Sequence, residues 1–198
     1  MKKLAFISIL TVLIYTCFAV IAFADFYVIP VNNKCGPCKG TRSAGGRWCD
    51  NGDGTVTDLT TCLVWLKYAD WGGLKPWRND ATSGETRYDD AHQRAGLLAS
   101  GETISTSGET VYLTDGSVVG DWRLPTKTEL VGITIGDEYI RSGTGRQLFE
   151  GVQSLYYWSS TTYASITLGA WYVHMSDGYV YTSYKDTILY VWPVRSGN

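Results

Sequence analysis

Gly120-Asp121-Trp122-Arg123-Leu124-Pro125-Thr126-Lys127-Thr128-Glu129-Leu130 reads as the end of a buried strand, a sharp turn and a capped helix start. Trp122 and Leu124 alternate with Arg123, the period-two pattern of a short strand with one face inward. Pro125 has no amide hydrogen to give to a central ladder, so the chain turns there. Thr126 stands three residues before Glu129, a spacing that predicts a capping box: the Thr hydroxyl accepts the Glu129 amide and the Glu carboxylate accepts the Thr126 amide. An Arg and a Trp flanking such a corner can tie a helix to a sheet. Trp122, Arg123, Thr126 and Glu129 are therefore read as structural residues, not ligand contacts.

Upstream, Asp50-Asn51-Gly52-Asp53-Gly54 is turn-forming and Thr55-Val56-Thr57 returns as a β-branched strand. The acidic turn lacks the alternate oxygen donors and distal Glu of an EF-hand loop, so turn formation explains it better than calcium. Leu63-Val64-Trp65-Leu66 is a continuous apolar run, read as a buried strand around Trp65. Residues 71–86 read as a polar surface segment. Thr86-Arg87-Tyr88-Asp89 opens a helix whose stripe is Tyr88, Ala91, Ala95 and Leu98, ending at Gly101.

Downstream, residues 104–119 read as a β-hairpin turning at Thr114-Asp115-Gly116-Ser117. Tyr156-Tyr157-Trp158-Ser159-Ser160 is a strand, with Trp158 placed in the core. Residues 170–175, 180–184 and 190–195 follow as three more strands, the first two joined by the tight turn Ser176-Asp177-Gly178. Two helices packed on antiparallel sheets, with a C-terminal β-meander, make an α+β class.

Trp122 to Leu130 also resembles the core motif of the bacterial Lcl C-terminal domain family, named after the end domain of a collagen-like adhesin. Asp50 to Asp58, Leu63 to Lys67, and Tyr157 to Thr161 with Ala170-Trp171-Tyr172-Val173 and Trp192-Pro193-Val194-Arg195 resemble the same family in the same order. The resemblance covers about residues 47–195. It implies a C-type lectin-like fold, similar also to the formylglycine-generating enzymes, and some members of the family bind sulfated glycans. No Gly-X-Y repeat is present, so the collagen stalk of the namesake has no counterpart here.

The ends of the chain point to export. Met1-Lys2-Lys3 precedes an uncharged run to Ala24, and Ala22-Phe23-Ala24 offers a small-residue cleavage site before Asp25. This pattern predicts a signal peptide over 1–24, with an uncleaved anchor as the rival reading. Residues 25–46 are then a Gly-rich lead in which residues 26–29 could add a strand, and 47–198 form the domain. Losing Lys2 and Lys3 takes the formal charge from −2 to −4. Nothing here has the basic footprint of a nucleic-acid binder, and after Ala24 no apolar run is long enough to span a bilayer.

Four cysteines remain: Cys35, Cys38, Cys49 and Cys62. An even number in an exported chain predicts two disulfides with three possible connectivities. The pairing preferred on sequence is Cys49 with Cys62 across the hairpin they bracket, and Cys35 with Cys38. Cys35-Gly36-Pro37-Cys38 copies a thioredoxin-like tetrad but lacks the βαβ context of a redox site. A four-Cys zinc site is disfavoured because the second pair is not Cys-x-x-Cys.

No catalytic constellation is expected. No Cys follows Cys62, so the cysteine chemistry of the formylglycine-generating enzymes has no nucleophile, and His92 and His174 cannot supply the His cluster of the related iron enzymes. His174 with Asp177 and a Ser lacks a nucleophile-elbow sequence, and His174 is read as a packed or rim residue. Eight Trp and fourteen Tyr favour binding instead. The hairpins gather Trp171, Tyr172, Asp177, Tyr179, Tyr181, Tyr184 and Lys185 as candidate ligand contacts, with rings for sugar faces and polar groups for direction. The expectation is a non-catalytic exported module, in the periplasm, at the cell surface or outside, needing no cofactor or metal; the rival readings are an exported enzyme of unknown reaction on the same fold and a structural domain of a surface assembly. Its partner is expected to be a glycan or surface protein; net negative charge argues against polyanions.

Overall fold

In the computed structural model, the structure describes residues 34–78, 90–105, 108–136, 139–140 and 144–197, all within one compact unit, Val31–Asn198. The expected leader over 1–24, the start at Asp25, the strand at 26–29 and the helix opening at Thr86 and Tyr88 lie outside the described residues.

The class is α+β. A first sheet contains β1 (Thr41–Arg42), β2 (Trp48–Asp50), β3 (Thr55–Asp58), β4 (Leu63–Leu66) and β10 (Val194–Ser196), in the order β1-β2-β3-β4-β10. A second contains β5 (Leu74–Pro76), β6 (Tyr156–Thr162), β7 (Gly169–His174), β8 (Val180–Tyr184) and β9 (Ile188–Tyr190), in the order β5-β9-β6-β7-β8. Pairing is antiparallel except at Tyr157 and Tyr190, where β6 and β9 run parallel. Two short helices, α1 (Ala91–Gly96) and α2 (Lys127–Gly132), and a 3-10 turn at Thr144–Leu148 complete the described elements. Among the described residues no helix is long and apolar enough to cross a membrane.

The corner at Trp122–Leu130 holds these parts together. Arg123 exchanges two backbone hydrogen bonds of 2.9 Å with Val194 of β10. The Pro125 carbonyl accepts the Ser160 amide at 2.7 Å, and the Lys127 amide donates to Thr161 Oγ1, so the same few residues also grip β6. The capping box forms: Thr126 Oγ1 accepts the Glu129 amide and Glu129 accepts the Thr126 amide. Trp122 is buried, with its indole N–H donating to Ser117 Oγ.

Edge-to-face rings fill the core between the sheets. Phe149 lies 5.2 Å from both Trp48 and Trp192, and Trp192 lies 5.4 Å from Trp65, offsets that aromatic quadrupoles prefer. A smaller cluster covers the opposite side of the second sheet, where Ala91 and Ala95 of α1 pack with Trp77, Leu124, Trp158, Ala170 and Leu189.

Several local expectations are corrected. The disulfides are Cys35–Cys62 and Cys38–Cys49, with Cα–Cα distances of 5.0 and 5.6 Å. Cys49 stands opposite Thr57 in the β2–β3 ladder, so the hairpin does not deliver it to Cys62. Instead the lead crosses the sheet and is stapled at both sites. At Gly40 it comes so close to β2 that an added Cβ would collide with the Asp50 carbonyl. Residues 71–78 are not merely surface: Trp71 and Trp77 are buried and β5 forms an edge strand.

Helix α1 is capped by Asp90 and ends at Gly96, well before Gly101, because Leu97 already closes the last turn. Within 104–119 the pairing joins residues 102–104 to 111–113, not the segments flanking Thr114–Ser117, and Val118 and Val119 are exposed. The C-terminal meander holds for β6-β7-β8. Residues 190–195 then divide, because β9 crosses to the far side of β6 and β10 joins the first sheet.

Candidate functional site

Strand alternation sends Tyr157 and Val173 into the main core and turns Tyr156, Trp158, Tyr172, His174 and Tyr181 to the other face. Helix α1 covers Trp158 and Ala170 on that face. Beyond the helix the row runs out to solvent. Tyr172 stands opposite both Trp158 and Tyr181, and Tyr156 stands opposite His174.

Ring centroids are 5.2 Å apart for Tyr156–Tyr172, 4.6 Å for Tyr156–His174, 5.8 Å for Tyr172–Tyr181 and 6.3 Å for Tyr179–Tyr181. Exposure rises from 38% at Tyr156 to 45% at Tyr181 and 63% at Tyr179. The result is a continuous aromatic strip, anchored on buried Trp158 and open at the β7–β8 hairpin. Partial burial, with Tyr156 and Tyr181 beside it, pushes the Tyr172 phenol above its usual pKa, so it stays neutral and able to donate.

The hairpin supplies the polar rim. Gly178 takes a positive φ of 76° at the turn, where a Cβ would be strained. Asp177 Oδ1 accepts the Tyr179 amide at 2.9 Å and Oδ2 lies 2.7 Å from His174 Nδ1, fixing the turn and the imidazole together. Ser176 Oγ lies 3.1 Å from the same nitrogen and 3.3 Å from Nε2.

The seven candidates named from sequence therefore separate. Tyr172, Asp177, Tyr179 and Tyr181 converge. Trp171 faces the other side, under Lys127 Nζ at 4.4 Å and against Tyr163. Tyr184 lies on that same side, at a shallow cleft of about 300 Å³ with Tyr163 and Ile166. Lys185 Nζ sits 4.2 Å over the buried Trp77 ring, in the cluster that α1 covers. Tyr156 and His174 belong to the strip and were missed. Their parity within each strand was readable, but the register that sets one opposite the other was not.

A second cavity, about 390 Å³, lies between β4 and α2 and is lined by Arg47, Asp58, Leu63, Trp65, Thr128 and Glu129. Its charges are matched within the protein. Arg47 bridges Asp58 at 2.8 Å and also donates to the Gly132 and Ile135 carbonyls. Burial works to raise the Asp58 carboxyl, but hydrogen bonds from Arg47 and Thr60 and the Arg47 charge prevail and hold it below the usual carboxylate range. This is a brace for α2. The acidic turn is likewise satisfied internally: Asp50 bridges Lys67 at 2.8 Å and Asp53 accepts both the amide and hydroxyl of Thr55. Among the described residues no three His, Cys, Asp or Glu side chains gather in a way that could hold a metal ion.

The chain belongs to the Lcl C-terminal domain family, whose family model matches residues 54–195. The match begins in the β2–β3 turn, although β1 and β2 complete the same sheet. A comparison with curated proteins finds no match.

Proposed function

We propose that this member of the Lcl C-terminal domain family is an exported, disulfide-stapled binding module that works without catalysis and receives a glycan or surface ligand on the strip of Tyr156, Tyr172, Tyr179 and Tyr181. The observation that carries the reading is the strip itself. Four tyrosines and His174 lie in ring contact on one open sheet face, beside the fixed carboxylate of Asp177. Aromatic faces stack on the apolar faces of sugars, and phenol groups at their tips exchange hydrogen bonds with hydroxyls. Export is supported by the leader-like sequence of 1–24 and by two disulfides, which persist in oxidising compartments. The non-catalytic reading is supported by the sequence, which has no nucleophile-elbow pattern around His174 and no cysteine after Cys62.

A glycan array with chain 25–198 tests this, followed by titration of the best hit against Tyr181→Ala, Tyr172→Ala and Trp171→Ala. Binding should fall at least about tenfold for the two strip variants, the loss of a well-packed aromatic contact, and persist in Trp171→Ala. Strip variants that bind like the parent would refute the assignment.

A further inference from the structure

The second sheet ends on β8, and among the described residues no strand pairs with its outer edge. The Lys185 amide donates to Leu168 and the His174 amide to Tyr179, which sets the phase of the β7–β8 ladder. In an antiparallel ladder the paired residues alternate, so Tyr181 and Ser183 bond to β7 while Val180, Thr182 and Tyr184 direct their backbone N–H and C=O groups outward. Of those outward groups the Tyr184 carbonyl also accepts the Thr187 amide.

The other sheet edges carry features that discourage pairing. β5 holds Lys75 and Pro76, β1 is two residues long and ends in Arg42, and β10 holds Arg195. Residues 178–184, Gly-Tyr-Val-Tyr-Thr-Ser-Tyr, have neither charge nor proline. Tyr181, Thr182 and Tyr184 are exposed, and so are Ile166 and Leu168 beside the edge.

We propose that β8 is a self-association edge, on which a second copy of the chain pairs β8 to β8, antiparallel, about a two-fold axis through Thr182. The occupant is another copy because the edge is complementary to itself. With Thr182 facing its own counterpart, Val180 faces Tyr184, and all three outward-directed positions find outward-directed partners, as an isologous contact requires. The two Tyr184–Val180 pairs are aromatic–β-branched, a combination that stabilises antiparallel ladders, and they form on the side where Tyr184 is exposed. The axis is perpendicular to the sheet, so the sheets join into one of ten strands and the Tyr181 sides of both copies share a face. The association stands whether or not the strip binds a glycan.

Sedimentation of chain 25–198 over a wide concentration range should show reversible dimers. Thr182→Lys sets two like charges opposite each other, and Thr182→Pro removes an outward amide without touching the β7 ladder. Both should sediment as monomers with an unchanged circular dichroism spectrum, and the Lys variant decides if the Pro variant does not fold. In a hydrogen-bonded antiparallel pair the Cα atoms lie about 5.5 Å apart, within disulfide range. Thr182→Cys should therefore cross-link to a dimer on mild oxidation, while Tyr184→Cys, which faces Val180, should not. A parent that stays monomeric, a Lys variant that associates like the parent, or Tyr184→Cys cross-linking as readily as Thr182→Cys would each overturn the proposal.

Discussion

Arg123 and Glu129 meet through two hydrogen bonds of 2.8 Å, while the same carboxylate accepts the Thr126 amide at 2.7 Å. One Glu thus closes the helix cap and holds the Arg whose backbone bonds β10. Burial works to raise the Glu129 carboxyl, but the bonds from Arg123 and Thr126 prevail and hold it below its usual value.

Thr126→Ala removes one side of the cap and is expected to cost about 1 kcal/mol, read as a modest fall in melting temperature. Glu129→Ala removes the other side and unpairs Arg123, so it should cost more than Thr126→Ala. Thermal melts followed by circular dichroism rank the two, and an equal or reversed order would show that the Arg123 pair contributes nothing.

Trp122→Ala leaves a hole at a side chain only 1% exposed and strips a partner from Ser117. Truncating a buried Trp typically costs about 3–5 kcal/mol. Urea unfolding should show the loss directly, and Trp122→Phe should recover most of the packing but not the hydrogen bond.

Acid should destabilise the domain through Asp58 and Glu129. Both carboxyls are depressed in the folded state, so their stabilisation is present above the unfolded carboxylate values near about 4 and is lost as pH falls through the lower folded ones. Asp58→Asn removes the carboxylate that Arg47 bridges while Arg47 keeps its bonds to the Gly132 and Ile135 carbonyls, and should cost about 1.5–3 kcal/mol at neutral pH. It should also flatten the loss of stability between neutral pH and about pH 3, measured by denaturant titration at each pH.

The cysteine pairing is open to peptide mapping without reduction, which should recover Cys35 with Cys62 and Cys38 with Cys49. The sequence separations are 27 and 11 residues. Chain-entropy arguments then give about 3–4 kcal/mol for the first and about 3 kcal/mol for the second. Replacing Cys35 and Cys62 together by Ser should lower stability at least as much as replacing Cys38 and Cys49, with the fold of 47–197 retained.

What the sequence determined by itself is local in origin. The cap at Thr126 rests on residues three apart, so its hydrogen bonds could be read from spacing. Trp65, Trp122 and Trp158 could be placed inside because alternation and apolar runs mark the buried side of a strand without saying what covers it. The α+β class followed from the same periodicities, and the run of motifs from Asp50 to Arg195 carried the family.

Tertiary structure alone decided which distant segments meet. Cys35 reaches Cys62 because the lead crosses the sheet, a path that depends on backbone approach at Gly40 and not on cysteine spacing. Strand β9 passes beyond β6, and β10 leaves for the first sheet to bond Arg123, because each edge is filled by whichever segment satisfies its hydrogen bonds and buries its face. That choice also sorted the aromatic residues. Tyr172 and Tyr181 share a face while Trp171 and Tyr184 share the other, and Tyr156 joins the first pair only because β6 lies beside β7 in a register that sets it opposite His174. Parity along one strand is written in the chain, but register between strands is fixed by long-range pairing, and a slip of one residue would have turned a different set of rings to the surface.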